Sequence, residues 1–176
     1  SPNGHSRSFD ADADGYARGE GAGVIIIKRL SDAKKDHDNI LGVIKATGAN
    51  QDGRSNGLTA PNGEAQKALI LDTLQRNGLE PDSISYVETH GTGTPLGDPI
   101  EVNALIDSYC AGRRCDEPLL IGSVKSNIGH LEAASGMAAI IKVLLSFEHK
   151  MIPGNLNFNK PNPQIRWEDA ALRVVS

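Results

Sequence analysis

Short apolar runs alternate with amphipathic stretches along most of the chain. Continuous apolar or β-branched runs predict strands at residues 24–27, 40–49, 84–89 and 119–124. Apolar residues at helical spacing predict helices at residues 63–77, 98–109 and 131–148. Because strands alternate with helices, the pattern indicates a layered α/β fold with a largely parallel sheet.

The remaining segments are polar or irregular. Residues 1–20 are rich in glycine and predict a loop, and residues 31–39 predict a surface turn. Residues 151–165 carry four asparagines and three prolines, which is typical of an irregular segment over the surface. The helix at 131–148 is apolar on nearly every side, so we expect it to be central and buried.

Composition excludes several classes of protein. The 176 residues carry a formal net charge of −4, and only 4% are aromatic, which argues against a nucleic-acid-binding protein. Two cysteines are too few for a disulfide framework, so we expect a reducing, cytoplasmic environment. The longest apolar run is too short to cross a membrane, and we expect neither membrane nor nucleic-acid partners.

Two histidines occupy matching positions. His90 and His130 each follow an apolar run that predicts a strand, and each precedes a predicted helix start. Open α/β sheets place their chemistry at the carboxyl ends of strands. A helix N-terminus disfavours imidazolium, so both rings are expected to be neutral near pH 7. Two neutral imidazoles that donate to one carbonyl oxygen would stabilise an enolate.

Several neighbouring residues have both a structural and a chemical interpretation. Asp98 fits a helix N-cap with Glu101 as its capping-box partner, and Glu101 is also placed to support Lys125 or a histidine. Lys125 is either a solvated lysine or a charge that organises hydrogen bonds around His130. The stretch 91–94 follows a strand but does not complete a dinucleotide fingerprint.

Metal binding and cysteine catalysis are the weaker hypotheses. A zinc site built from His90, His130 and Glu101 lacks the short ligand spacings typical of zinc proteins, so we expect no metal. Cys110 and Cys115 lie outside any small-residue turn that would place a thiolate between two histidines. We therefore expect both to be ordinary thiols.

The longer motifs resemble those of β-ketoacyl synthase (ketosynthase) domains of modular polyketide synthases and animal-type fatty acid synthases. The resemblance covers essentially the whole chain and is carried by several signatures in the family's order: Asp12–Gly21, Asn56–Asn62, His90–Thr94, Lys125–His130 and Pro153–Leu156. It implies a thiolase-like α-β-α-β-α layered fold. Residues 1–30 would be the tail of the N-terminal half and residues 31–176 the C-terminal half, incomplete at both ends.

The resemblance also implies the roles of individual residues. His90 and His130 match the catalytic histidines, Lys125 matches the active-site lysine, and Glu101 matches the acid that pairs with it. Thr92 and Thr94 match threonines that bind the phosphopantetheine arm. The family's nucleophilic cysteine belongs upstream of Ser1, and the loop that completes its oxyanion hole belongs downstream of Ser176. We therefore expect no nucleophile within the chain itself.

The implied reaction is a decarboxylative Claisen condensation of malonyl-carrier with an acyl thioester, in polyketide or fatty acid biosynthesis. It implies an acyl carrier protein as partner, a homodimer formed through the complete domain, and no bound cofactor, since the carrier supplies the phosphopantetheine. The alternative is a ketosynthase-like partner protein or decarboxylase that lacks the cysteine. We expect the 176 residues alone to be inactive in condensation.

Overall fold

A parallel three-stranded sheet organises the protein. The computed structural model describes residues 1–55, 57, 60–168 and 170–176, and its strands are β1 (Tyr86–Glu88), β2 (Leu119–Gly122) and β3 (Leu172–Val174). They lie in the order β1-β2-β3, with Ile121 paired to Val87 on one side and to Val174 on the other. The expected parallel arrangement is confirmed for these strands.

Within the described residues, five helices accompany the sheet, and two short 3-10 turns lie at Pro81–Ser83 and Glu132–Ala134. The helices are α1 (Leu30–Lys35), α2 (Gly63–Arg76), α3 (Gly97–Tyr109), α4 (Lys125–Ile128) and α5 (Ser135–His149). The side chain of Asn62 caps α2 by accepting a hydrogen bond from the Ala65 N–H. The short helix α1 replaces the surface turn that the sequence predicted at 31–39.

One face of the sheet carries the hydrophobic core. Side chains alternate across a strand, so Leu119 and Ile121 point to one face and Gly122 to the other. The first face packs on α3 and on the N-terminal loop through a single cluster: Phe9, Val102, Leu105, Ile106, Leu119, Ile121, Ile165, Leu172 and Val174. At Gly122, an added Cβ would lie 3.3 Å from the Lys142 ammonium, which places α5 over the second face.

Two predicted strands are not formed. Residues 22–28 and 39–49, here called the unpaired segments, include the runs 24–27 and 40–49 but contain no strand. No backbone–backbone hydrogen bond joins them to another part of the described chain. Most of their large apolar side chains are exposed, with Val24 at 88% and Ile26 at 96%. The strand prediction was wrong here because a β-branched run becomes a strand only beside a partner that pairs its backbone.

The expectation of a buried central helix at 131–148 was also wrong. The segment divides into a 3-10 turn and α5, and Lys142 is the only buried residue of α5. Ile141, Leu145 and Phe147 are 38%, 46% and 60% exposed. The sheet contacts α5 through Lys142, and the segments at Gly23 and Gly42 lie against Met137 and Leu144, but these described neighbours leave part of its apolar circumference exposed.

Candidate active site

His90 follows the carboxyl end of β1, and a carboxylate from α3 fixes the backbone of His90 at this position. The N–H and the hydroxyl of Thr89 both donate to the Gly122 carbonyl at the end of β2. Glu101 then accepts the N–H of His90 at 2.7 Å and that of Gly91 at 2.8 Å, one on each oxygen. Gly91 has φ +38°, and an added Cβ would lie 2.5 Å from the Thr89 hydroxyl, so the turn after His90 requires glycine.

The predicted capping role of Asp98 is corrected by the structure. Helix α3 begins at Gly97, so Asp98 lies inside its first turn and is only 1% exposed. Its carboxylate accepts the N–H groups of Phe9, Gly93 and Thr94. The Thr94 hydroxyl accepts the Gly97 N–H instead. Asp98 therefore ties the loop after His90 to the N-terminal segment.

The N-terminal loop fixes His130. The His130 N–H donates to the Ala17 carbonyl at 2.7 Å, and the Gly19 N–H donates to the His130 carbonyl at 3.0 Å, as in a parallel bridge. Gly129 has φ +75°, and a Cβ there would lie 2.9 Å from the Ala17 oxygen. Glycine at position 129 is what allows this close approach of the two segments.

The two imidazole rings lie next to each other, His90 two residues after β1 and His130 two residues after α4. The His90 and His130 ring centroids are 5.3 Å apart and the planes are inclined by 86°, while Tyr16 packs edge-on against His130 at 5.1 Å. Nδ1 of His130 accepts the Glu132 N–H at 3.0 Å. A neutral His130 therefore carries its proton on Nε2, which leaves Nε2 as the donor.

Burial and nearby cations, chiefly Lys125, favour the neutral form of both rings. Partial removal of solvent, then the charge of Lys125 and the His130 ring, lower the pKa of His90 to about 4, although more than a third of its surface remains exposed at the edge of the site. The pKa of His130 is lowered by burial, then by Lys125, against the opposing charge of Glu132. Neutral imidazoles are hydrogen-bond donors rather than cations near pH 7.

Lys125 and Glu101 do not form the ion pair that the sequence predicted. Lys125 begins α4 and is 4% exposed. Within the described part of the chain, no carboxylate oxygen lies within the 4.0 Å of an ion pair with it. Instead, both carboxylate oxygens of Glu101 accept hydrogen bonds from backbone N–H groups. Burial raises the pKa of Glu101 to about 7, while the two N–H bonds and Lys125 oppose that rise.

The other candidate residues lie beside or outside this site. The hydroxyls of Thr92 and Thr94 are 3.2 Å apart on the loop after His90. Cys110 follows the last turn of α3, at the opposite end of that helix from the histidines, and Cys115 is exposed. In the described ranges, no group of three or more His, Cys, Asp or Glu side chains is arranged to hold a metal ion. Part of the 56–62 motif, at 56, 58 and 59, lies outside the described residues.

Sequence reasoning missed a buried ion pair between Glu88 and Lys142, whose atoms are 2.7 Å apart. Each residue is a lone charge in an apolar setting: Glu88 ends the strand at 86–88, and Lys142 interrupts the apolar stretch 136–147. Charged residues are rarely buried without a partner, so two such isolated charges of opposite sign were a usable signal.

Two family models match the chain. The model described as "Beta-ketoacyl synthase, C-terminal domain" matches residues 41–159, and the one described as "Beta-ketoacyl synthase, N-terminal domain" matches residues 1–33. The chain is 55% identical over 173 residues to the highly reducing polyketide synthase cla2 of Cladosporium cladosporioides, covering 98% of this chain and 7% of that protein. It is 53% identical over 175 residues to one component of the phenolphthiocerol/phthiocerol polyketide synthase of Mycobacterium tuberculosis, covering 99% and 9%.

Solved ketosynthase structures are also similar to this chain. The ketosynthase from module 6 of the bacillaene synthase of Bacillus subtilis 168 superposes with a TM-score of 0.94 at 47% identity, over 99% of this chain and 31% of that one. The oxazolomycin ketosynthase domain OzmH KS7 of Streptomyces albus JA3453 gives 0.92 at 42%, over 98% and 30%. The chain thus spans about a third of these domains.

The parallel sheet and the two imidazoles beside it are part of an α/β domain of the thiolase-like class, as the resemblance implied. The chain belongs to the β-ketoacyl synthase family. Across the described residues, no helix is long and apolar enough to span a bilayer.

Proposed function

We propose that this chain supplies the decarboxylation half of a ketosynthase active site, that of a 3-oxoacyl-[acyl-carrier-protein] synthase. The observation that carries the proposal is the edge-to-face pair of neutral imidazoles, with His90 just after β1 and His130 just after α4. The names of the two relatives given above, both polyketide synthases, favour polyketide biosynthesis as the setting.

The chemistry follows from the donors. His130 donates through Nε2 and His90 through its ring N–H to the thioester carbonyl of a malonyl-carrier. As the C–C bond to the carboxylate breaks, carbon dioxide leaves and its bonding electrons become the enolate, whose negative oxygen both donors stabilise. The enolate carbon attacks an acyl thioester, expels its thiolate and yields a 3-oxoacyl chain two carbons longer.

Lys125 and Glu101 are assigned supporting roles. The charge of Lys125 keeps both histidines neutral, and Glu101 anchors the backbone on either side of the His90–Gly91 bond. Thr92 and Thr94 are proposed to contact the phosphopantetheine arm that the acyl carrier protein presents. In this scheme the protein binds no cofactor or metal of its own, and its acyl group is held by a cysteine outside these 176 residues. A homodimer of complete domains is the proposed assembly.

The test is carbon dioxide release from malonyl-carrier by a complete ketosynthase domain that contains these residues. His90→Ala and His130→Ala should each reduce the rate about 100-fold or more, which is the usual effect of removing one oxyanion donor. His149→Ala, an exposed histidine at the far end of α5, is the matched control and should change nothing. Unchanged release by both site variants would refute the proposal. Decarboxylation without acyl loading would favour the cysteine-free alternative.

A further inference from the structure

A buried ion pair lies under the site, on the face of the sheet that α5 covers. Nζ of Lys142 is 2.7 Å from Oε2 of Glu88, and the two side chains are only 8% and 5% exposed. The Tyr86 hydroxyl donates to the same Glu88 oxygen and accepts from Lys142 at 2.9 Å. Both charges and the hydroxyl are therefore satisfied by one another, away from solvent.

The second oxygen of Glu88 reaches the active-site turn. Oε1 accepts the N–H of Val124, the residue immediately before Lys125. No side chain caps α4, which Lys125 begins. The Glu88 carboxylate is therefore one side-chain anchor of the backbone from which Lys125 projects, beside the Ser123 hydroxyl, which accepts the Lys125 N–H at 3.3 Å.

The pair also links the strand that precedes His90 to a helix that lies downstream of His130. Glu88 is the last residue of β1, two positions before His90, and Lys142 lies on α5, the helix that follows His130. One ion pair thus joins β1, which leads to His90, the turn that leads to Lys125, and α5, which begins five residues after His130. Isolated from its partner, either charge would be strongly destabilised here.

We propose that Glu88 and Lys142 are positioning residues for the decarboxylation site. Lys142 orients the Glu88 carboxylate, and Glu88 fixes the Val124 peptide so that Lys125 stays beside the imidazoles. The inference rests on the proposed function, because the effect it assigns is on decarboxylation. Buried ion pairs seldom stabilise a fold more than apolar residues of the same size would. Displacing a reacting group by about 1 Å, in contrast, lowers rates about 100-fold.

Two double variants of a complete ketosynthase domain separate positioning from folding. Glu88→Gln/Lys142→Met and Glu88→Leu/Lys142→Met both remove the ion pair and both leave the pocket neutral. Only the glutamine retains an oxygen that can accept the Val124 N–H. The glutamine variant should keep kcat for malonyl decarboxylation within about 3-fold, and the leucine variant should lose about 30-fold in kcat with KM little changed.

The pH profile supplies a second readout. The charged and titratable groups around His90 are Lys125, His130 and Glu101. If Lys125 moves away in the leucine variant, the pKa of His90 rises towards its ordinary value. The acid limb of the decarboxylation profile, which requires neutral His90, should then move to higher pH. A general loss of folded protein would lower the whole profile without moving that limb.

Equal kcat and coincident acid limbs in the two double variants would overturn the inference. If the leucine variant does not fold, Glu88→Asp replaces it, since aspartate keeps the charge beside Lys142 but is one methylene too short to reach Val124. It should lose at least 10-fold in kcat, about 1.4 kcal/mol, and an unchanged kcat would overturn the inference equally. An unsubstituted domain that releases no carbon dioxide would instead overturn the proposed function, and the positioning role with it.

Discussion

The strands β1 and β2 and the unpaired segments are both built from apolar, strand-like sequence, yet the backbone is held very differently at the turns that end these strands and in the unpaired segments. At the strand ends, buried carboxylates accept backbone N–H groups: Glu88 from Val124, Glu101 from His90 and Gly91, and Asp98 from three others. Residues 22–28 and 39–49 have no backbone partner among the described residues, and Ile26 is 96% exposed.

The difference shows what a β-branched run does and does not specify. The hydrophobic pattern indicates that a segment can be buried. Whether it forms a buried strand depends on a partner that pairs its backbone. The turns at the strand ends obtain their partners within this chain, through side chains that reach across from neighbouring elements. We therefore expect them to keep their geometry independently of what covers the unpaired segments.

The largest expected effect is at Asp98. Asp98→Ala leaves the N–H groups of Phe9, Gly93 and Thr94 without their acceptor, and each buried unsatisfied donor costs about 1–3 kcal/mol. We expect a loss of about 4 kcal/mol in the free energy of unfolding, measured with urea on a complete ketosynthase domain. Asp98→Asn, which keeps one oxygen, should lose less. Equal stability of the alanine variant and the unsubstituted domain would contradict the anchoring role of this carboxylate.

The next effect is the pH dependence of stability through Glu101. Its pKa is raised to about 7 by burial, so between the ordinary value of 4.5 and 7 the folded state holds more protons than the unfolded state. Its contribution to stability is therefore complete below pH 4.5 and is lost as pH rises to 7, at up to about 1.4 kcal/mol per pH unit.

Glu101→Gln removes that contribution and exposes the opposite one from His90. The pKa of His90 is lowered to about 4, so its contribution is complete above pH 6.5 and is lost as pH falls through 4. Urea unfolding at pH 5, 6 and 7 should show the variant gaining stability relative to the unsubstituted domain as pH rises. Parallel pH dependences would show that Glu101 does not titrate in this range.

A smaller effect on stability is expected from a substitution in the unpaired segments. Ile26→Ala should change the stability of the 176-residue chain by less than about 0.5 kcal/mol, because the side chain is exposed there. In a complete ketosynthase domain the same change should cost about 2 kcal/mol if that domain buries the segment.

Self-association of the 176-residue chain provides a second measurement of the exposed surface of the unpaired segments. The exposed apolar surface favours it, and Val24→Lys with Ile26→Lys should reduce it, as measured by light scattering. A monomeric unsubstituted chain with a sharp cooperative melt would contradict this assignment of the exposed surface.

Sequence alone predicted the parts of the site that depend on residues close to one another along the chain. The motifs around His90 and His130, each following an apolar run, were enough to expect both rings at one sheet edge. The contacts that hold them were not accessible, because they join distant positions. Asp98 resembled a cap from its spacing to Pro99, but its acceptor oxygens face Phe9, 89 residues earlier. Glu88 and Lys142 are 54 positions apart, and only the fold shows that their charges meet.

The smallest expected effect concerns the two cysteines. Cys110 follows α3, roughly 14 Å along the helix axis from Glu101 at a rise of about 1.5 Å per residue, and its thiol points to the Ala171 carbonyl at 3.6 Å. Burial raises the pKa of Cys110, which disfavours the nucleophilic thiolate. Cys115 is exposed on the turn that follows. Cys115→Ser and Cys110→Ser should therefore leave acyl loading and decarboxylation of a complete domain unchanged. Mass spectrometry of the 176-residue chain with an acyl thioester should find no stoichiometric adduct. A stable acyl group on Cys115 that is extended by malonyl-carrier would contradict the assignment of the nucleophile to a position outside these residues.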